Sequence, residues 1–151
     1  MNQTTERTVV RFLAQYEARV NRALGEEPVV DVEGTAGAFT RCFLAASPAG
    51  IACNENDQQF RAEIPKGFEF YRSIGTRSMR IASLAITELD EHHCMAKVRW
   101  HSNYRRRDAT EIQIAFDVIY FLSIPDEEPQ IFAYITGDES EALRQHGLIA
   151  A

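Results

Sequence analysis

A chain of 151 residues with 45% hydrophobic and 25% charged side chains has the length and apolar content of one globular domain, too short for two cores and too apolar for disorder. Its formal charge of −6, with Arg105, Arg106 and Arg107 as the one run of three cations, argues against nucleic acid as a partner, because binding phosphates takes clustered Lys and Arg. Cys42, Cys53 and Cys94, odd in number and far apart, suit reduced thiols in the cytoplasm, and the polar start from Met1 to Glu6 and the lack of about 18 uninterrupted apolar residues lead us to expect neither a signal peptide nor a membrane helix.

In chain order, Val9, Phe12, Leu13, Tyr16, Val20 and Leu24 recur every three or four residues, which predicts a helix from Thr4 or Thr5 that ends near Gly25. A second helix is expected from Asp31 or Thr35 through Phe39, Cys42, Phe43 and Leu44, stopping at Ser47-Pro48. Ile51-Ala52-Cys53 reads as a short strand. Phe60, Ile64, Phe68 and Tyr71 predict a third helix, with Pro65 able to break or kink it and Gly75 following.

From there the chain turns β-rich. Ser78–Leu89, Cys94–Tyr104, Glu111–Ile124 and Gln130–Thr136 abound in β-branched and aromatic residues between polar turns, as strands of an antiparallel meander do. Asp138 or Ser140 caps a last short helix. The reading is a single α+β domain over residues 1–151, a curved antiparallel sheet packed on N-terminal helices.

In Glu111–Ile124, Ile112, Ile114, Phe116, Val118, Tyr120 and Leu122 share one face, while Ala115, Ile119 and Phe121 share the other. Both faces want burial. One helical layer covers one of them, so a homodimer through the outer face is expected, with Phe132 and Tyr134 extending the contact.

Phe12-Leu13-Ala14-Gln15-Tyr16, Phe68-Glu69-Phe70-Tyr71-Arg72, Ala115-Phe116-Asp117-Val118-Ile119-Tyr120-Phe121 and Ala133-Tyr134-Ile135, in this order of elements, resemble the nuclear transport factor 2-like superfamily. That group includes ketosteroid isomerases, SnoaL-like polyketide cyclases and scytalone dehydratase. The resemblance spans nearly the whole chain and implies a cone-shaped, cystatin-like sheet around a pocket. It places Tyr16 where the isomerases have an oxyanion-hole tyrosine, Asp117 where they have a protonated aspartic acid, and Tyr71 where a supporting tyrosine stands. It further implies that these three converge inside the cone among Ala115, Ile119, Phe121, Ile131, Ala133 and Ile135. Cys53 stands where the family carries its general-base aspartate, so steroid-type isomerisation lacks its base here.

Each candidate has a plainer reading. Tyr16 suits the core stripe of its helix, Asp117 suits an ion pair with Arg99, and Cys53 suits a small apolar side chain. Trp100 and His101 occupy opposite faces of one strand, which leaves open which of them looks inward. His92-His93-Cys94 does not make a metal site, because neighbours on a strand diverge, and no cofactor is expected. The arginine run reads as a solvated hairpin tip.

Two functions stay open. One is a small-molecule-binding protein or an isomerase-, cyclase- or dehydratase-type enzyme for an apolar carbonyl- or enol-bearing ligand, with Tyr16, Cys53, Tyr71, Trp100, Asp117, Ile119, Ala133 and Ile135 as pocket candidates. The other is a non-catalytic dimeric module with a filled cone.

Overall fold

In the computed structural model, which describes residues 3–150 with the Glu127 side chain excepted, α1 (Gln3–Leu24) forms along the expected stripe. Val9, Phe12, Leu13, Val20 and Leu24 are buried, and Glu6 in the first turn and Arg22 in the last suit the helix dipole. The expected second helix is cut short. Only α2 (Val32–Gly37) is helical, capped by the Asp31 carboxylate, which accepts from Gly34 N.

From Phe39 the chain is strand, β1 (Phe39–Ser47), and it turns at Pro48-Ala49 into β2 (Gly50–Glu55). Phe39 and Phe43 are buried and Arg41 between them is exposed, because the register slips between Phe39 and Leu44. The bulge leaves two inward aromatic residues four apart, the spacing of a helix.

α3 (Gln58–Ser73), capped by Asp57, runs unbroken through Pro65. It stops at Gly75, where φ is +92° and a Cβ would stand 2.1 Å from the Arg105 carbonyl oxygen, so only glycine fits. β3 (Thr76–Glu88), β4 (His93–Arg105), β5 (Glu111–Ser123) and β6 (Gln130–Thr136) then form the meander, with one 3-10 turn at Pro125–Glu127. α4 (Glu139–Gln145) closes the chain, with the Asp138 carboxylate accepting from Glu141 N.

The six strands lie in the order β2-β1-β6-β5-β4-β3, with β1 parallel to β6 and every other pair antiparallel. β4 alternates without a slip. Cys94, Ala96, Val98, Trp100, Ser102 and Tyr104 are buried on its inner face, and the first four pack with Val118, Tyr120 and Leu122 of β5 against Val9, Phe12 and Leu13 of α1. A smaller cluster, Tyr104, Ile114 and Leu143 with Ile74, Ile112, Leu148 and Ile149, seats α4 and the segment after it on the other end of the sheet.

α1 also serves the edge strand β3. Asn21 Nδ2 donates to Met79 O at 2.7 Å and Asn21 Oδ1 accepts from Met79 N at 2.9 Å, while a Glu17 carboxylate oxygen accepts from Ile81 N at 2.5 Å. Side chains one helical turn apart therefore satisfy backbone groups that a further strand would otherwise pair. The arginine run is only partly solvated, since Arg106 Nη2 donates to the His146 carbonyl and pins the chain after α4. Among the described residues no helix is long and apolar enough to cross a membrane.

Candidate functional site

Between the inner face of the sheet, α1, α3 and α4 lies an open cavity of about 610 Å³. Its inner wall is Tyr16 and Val20 of α1, Phe39 of β1, Trp100 of β4, Phe116, Val118 and Tyr120 of β5, and Tyr134 of β6. Phe68 and Tyr71 of α3 line one side, Tyr104, Ile114 and Leu143 line the end, and Ser47-Pro48-Ala49 and Gly137–Ser140 stand on the rim. The chain has five tyrosines and one tryptophan. All six line this cavity.

The polar atoms of this wall are organised from the floor outward. Trp100 is 1% exposed, and its Nε1–H donates to the Tyr120 hydroxyl oxygen at 3.2 Å. That oxygen then accepts one bond, and its own proton is left for a neighbour. Tyr16 lies beside it, its ring 6.0 Å from Tyr120 edge to face and 6.3 Å from Trp100. Toward the mouth, the Tyr71 hydroxyl donates to the Glu139 carboxylate, 2.7 and 2.9 Å from its two oxygens.

Burial sets the protonation of the ring. It pushes the Tyr16 hydroxyl up from 10.0 to about 12, and it raises Tyr104, Tyr120 and Tyr134 in the same direction. Tyr71 is raised by burial first and then by the negative charge of Glu139. All five are neutral O–H donors at neutral pH.

Of the candidates read from sequence, the structure brings Tyr16, Tyr71 and Trp100 together in this wall, with Trp100 rather than His101 facing inward. The others lie elsewhere. Asp117 is on the opposite face of β5, where Arg99 Nε donates to it at 3.0 Å and Nη2 at 3.4 Å. That pairing holds its carboxyl below the usual range and ionised, so it is not the protonated donor that the resemblance implies.

Ile119, Ala133 and Ile135 share that outer face, since Val118, Tyr120 and Tyr134 occupy the inner one. Cys53 is exposed on β2 opposite Leu44, away from the cavity. The expected inward set Ala115, Ile119 and Phe121 is thus reversed with the even-numbered set, as one step along a strand reverses every side chain. Tyr134, expected at the outer contact, belongs to the cavity as well.

Sequence reasoning missed Tyr104, Phe116, Tyr120, Tyr134 and Glu139 as cavity residues. For the aromatic ones a signal was present. Trp100 and Tyr104, and likewise Phe116 and Tyr120, are four apart, an even step that keeps each pair on one face. Glu139 carried none, because its place depends on how α4 packs.

The raised tyrosines carry a pH signature. Their folded values exceed the unfolded value of about 10, so their contribution to stability is complete below about pH 10 and is lost as pH rises toward about 12, the unfolded chain giving up its protons first. In a titration followed by phenolate absorbance, the folded protein should show little phenolate at pH 10 and ionise together with unfolding. A folded protein titrating with an ordinary midpoint near 10 would show the ring to be open to water.

Comparison with known proteins agrees with this architecture. The family model described as NTF2-like protein (DUF6841) matches residues 5–139. No curated protein matches. Similar solved structures include an NTF2-like protein of unknown function from Shewanella oneidensis, 16% identical, covering 88% of this chain and 98% of that one with a TM-score of 0.63. An NTF2-like protein with a cystatin-like fold from Novosphingobium aromaticivorans is 11% identical, with 97% and 89% covered and a TM-score of 0.66. An NTF2-like superfamily protein from Salmonella enterica is 12% identical, with 89% and 90% covered and a TM-score of 0.63. At such identities the likeness shows the fold alone. With the family model covering most of its length, the chain belongs to the NTF2-like proteins, a superfamily with ligand-binding and enzymatic members.

Proposed function

We propose that the chain binds a small, mostly apolar molecule in the cavity and orients one acceptor oxygen of it, a carbonyl or an enol, with the Tyr16 hydroxyl. The observation that carries this reading is the gathering of all five tyrosines and the one tryptophan in a single open cavity of about 610 Å³. Ligand sites typically run from about 300 Å³ upward, with apolar walls and a few placed polar groups. A filled cone, the alternative of a purely structural module, is hard to reconcile with that volume.

The donors support a carbonyl ligand because they are neutral and backed by protein. Trp100 holds the Tyr120 oxygen, and Tyr120 in turn faces Tyr16. An enzymatic form of the reading, of isomerase, cyclase or dehydratase type, requires a base beside the reacting carbon. Asp117 and Cys53 are outside the cavity, and Glu139 is the carboxylate on its wall whose charge acts on Tyr71, Tyr104 and Tyr134. Free thiols, two of them exposed, support a reducing cytoplasmic setting.

The test uses 1-tetralone, an apolar bicyclic ketone, in thermal shift and calorimetry. A saturating ligand at 100 times its dissociation constant should stabilise the fold by about 2.7 kcal/mol. Tyr16→Phe, which removes one donor and keeps the ring, should weaken binding by about twofold to tenfold. A flat response across a panel of apolar ketones and phenols would refute the reading.

The outer face supports a homodimer. Ile51, Ala46, Ile135 and Ile119 form one continuous rung across β2, β1, β6 and β5, and Cys53, Leu44, Ala133 and Phe121 form the next. Ile51 is 75% exposed, and Leu44 and Ile135 are each 42% exposed. Phe132 packs beside Phe121, and toward β4 and β3 the face grows more polar, with Arg99 paired to Asp117 and Asn103 bonded to Ser78 and Gln113. An apolar half bordered by a polar half suits self-association. Ile135→Glu should convert the dimer to monomer in sedimentation with the cavity intact, and a wild-type protein that is monomeric at micromolar concentration would contradict the assignment.

A further inference from the structure

The formal charges on the cavity wall have one sign. Among the described residues its charged members are Asp138 and Glu139, with no Lys, Arg or His. Asp138 is committed to the α4 amides, where its carboxylate accepts from Glu141 N. Glu139 is different. A carboxylate has about four lone-pair sites, and a single O–H, that of Tyr71, bonds it.

Behind this rim the cavity wall is largely aromatic. Tyr71, bonded to the carboxylate, shares the cavity wall with Tyr104 and Tyr134, and the Glu139 charge acts on all three. Electron-rich ring faces beside an anion form the usual receptor for an ammonium group, and they repel a carboxylate or a phosphate. The protein already uses one such contact, with the Arg19 guanidinium carbon 6.0 Å from the Tyr16 ring centroid. Arg19 itself is not part of the wall.

We propose that the ligand is an apolar amine or quaternary ammonium compound, its cationic nitrogen seated at the mouth between Glu139 and the rings of Tyr71, Tyr104 and Tyr134. This rests on the cavity being a ligand site and adds the chemistry of the second end. The inner end, at Tyr16 and Tyr120, takes an acceptor oxygen. The two ends of the cavity thus call for opposite groups, and a neutral or anionic molecule satisfies only one of them.

The test compares three probes of similar size, benzyltrimethylammonium, 1-tetralone and phenylacetate, by calorimetry and by competition for the cavity. The ammonium probe should bind in competition with 1-tetralone, and its affinity should fall about threefold in Glu139→Gln and again with added salt. Glutamine still accepts from Tyr71, so the melting temperature and the affinity for 1-tetralone should hold. Equal affinity of the ammonium probe in Glu139→Gln, or phenylacetate binding as tightly as the cation, would overturn the inference. Binding of 1-tetralone without the cation overturns the ligand class and leaves the site; silence from all three probes removes the site itself.

Discussion

The buried bond from Trp100 Nε1 to the Tyr120 hydroxyl decides which face of the sheet looks inward, and the rest of the site follows from it. An indole N–H without a partner in an apolar core costs one to several kcal/mol, so Trp100 must meet an acceptor on the neighbouring strand. Trp100 pairs with Phe116 and Ala96 pairs with Tyr120 along β4 and β5, which puts even-numbered residues of both strands on the same side. Slipping either strand by one residue would carry Asp117 and Arg99 into the core. The register therefore has no cheap alternative.

With the face set, the tyrosines do two kinds of work. Their rings supply apolar wall, and their hydroxyls remain neutral because burial disfavours the phenolate. Such a surface can donate to an oxygen without presenting a charge. The Glu139 carboxylate, which accepts from Tyr71, stands at the rim, brought there by α4 and the packing of Leu143, Leu148 and Ile149. The cavity is thus polarised from donors inside to an anion at the mouth. Holding this space open leaves less core for the helices, and α1 compensates at the edge of β3, where Asn21 and Glu17 bond to strand backbone.

Much of the fold was legible because most elements keep one period. α1 and α3 show helical spacing, and β4 alternates throughout, with Cys94, Ala96, Val98 and Trp100 set against Met95, Lys97, Arg99 and His101. β1 was not legible, since a bulge turned Arg41 outward and left Phe39 and Phe43 at helical spacing. The orientation of β5 failed for another reason. Phe116 and Tyr120 oppose Ile119 and Phe121, so both faces are apolar and hydrophobicity alone carries no direction. The direction resides in its partner, whose outer residues Lys97 and Arg99 are charged. Tyr16 and Tyr71 were accessible from sequence as large side chains on helical stripes, and Trp100 as a candidate whose direction the strand period left open, whereas Asp117 drew attention as an acid among apolar neighbours and is paired with Arg99 across the outer ladder.

The most direct measurement of cavity binding uses the chain's one tryptophan, because Trp100 is in the cavity wall and almost fully buried. Its fluorescence should change saturably as an apolar ketone or ammonium probe is titrated in, with a midpoint equal to the calorimetric dissociation constant. A probe that binds by calorimetry and leaves Trp100 unchanged would place binding elsewhere and contradict the assignment of the cavity as the site.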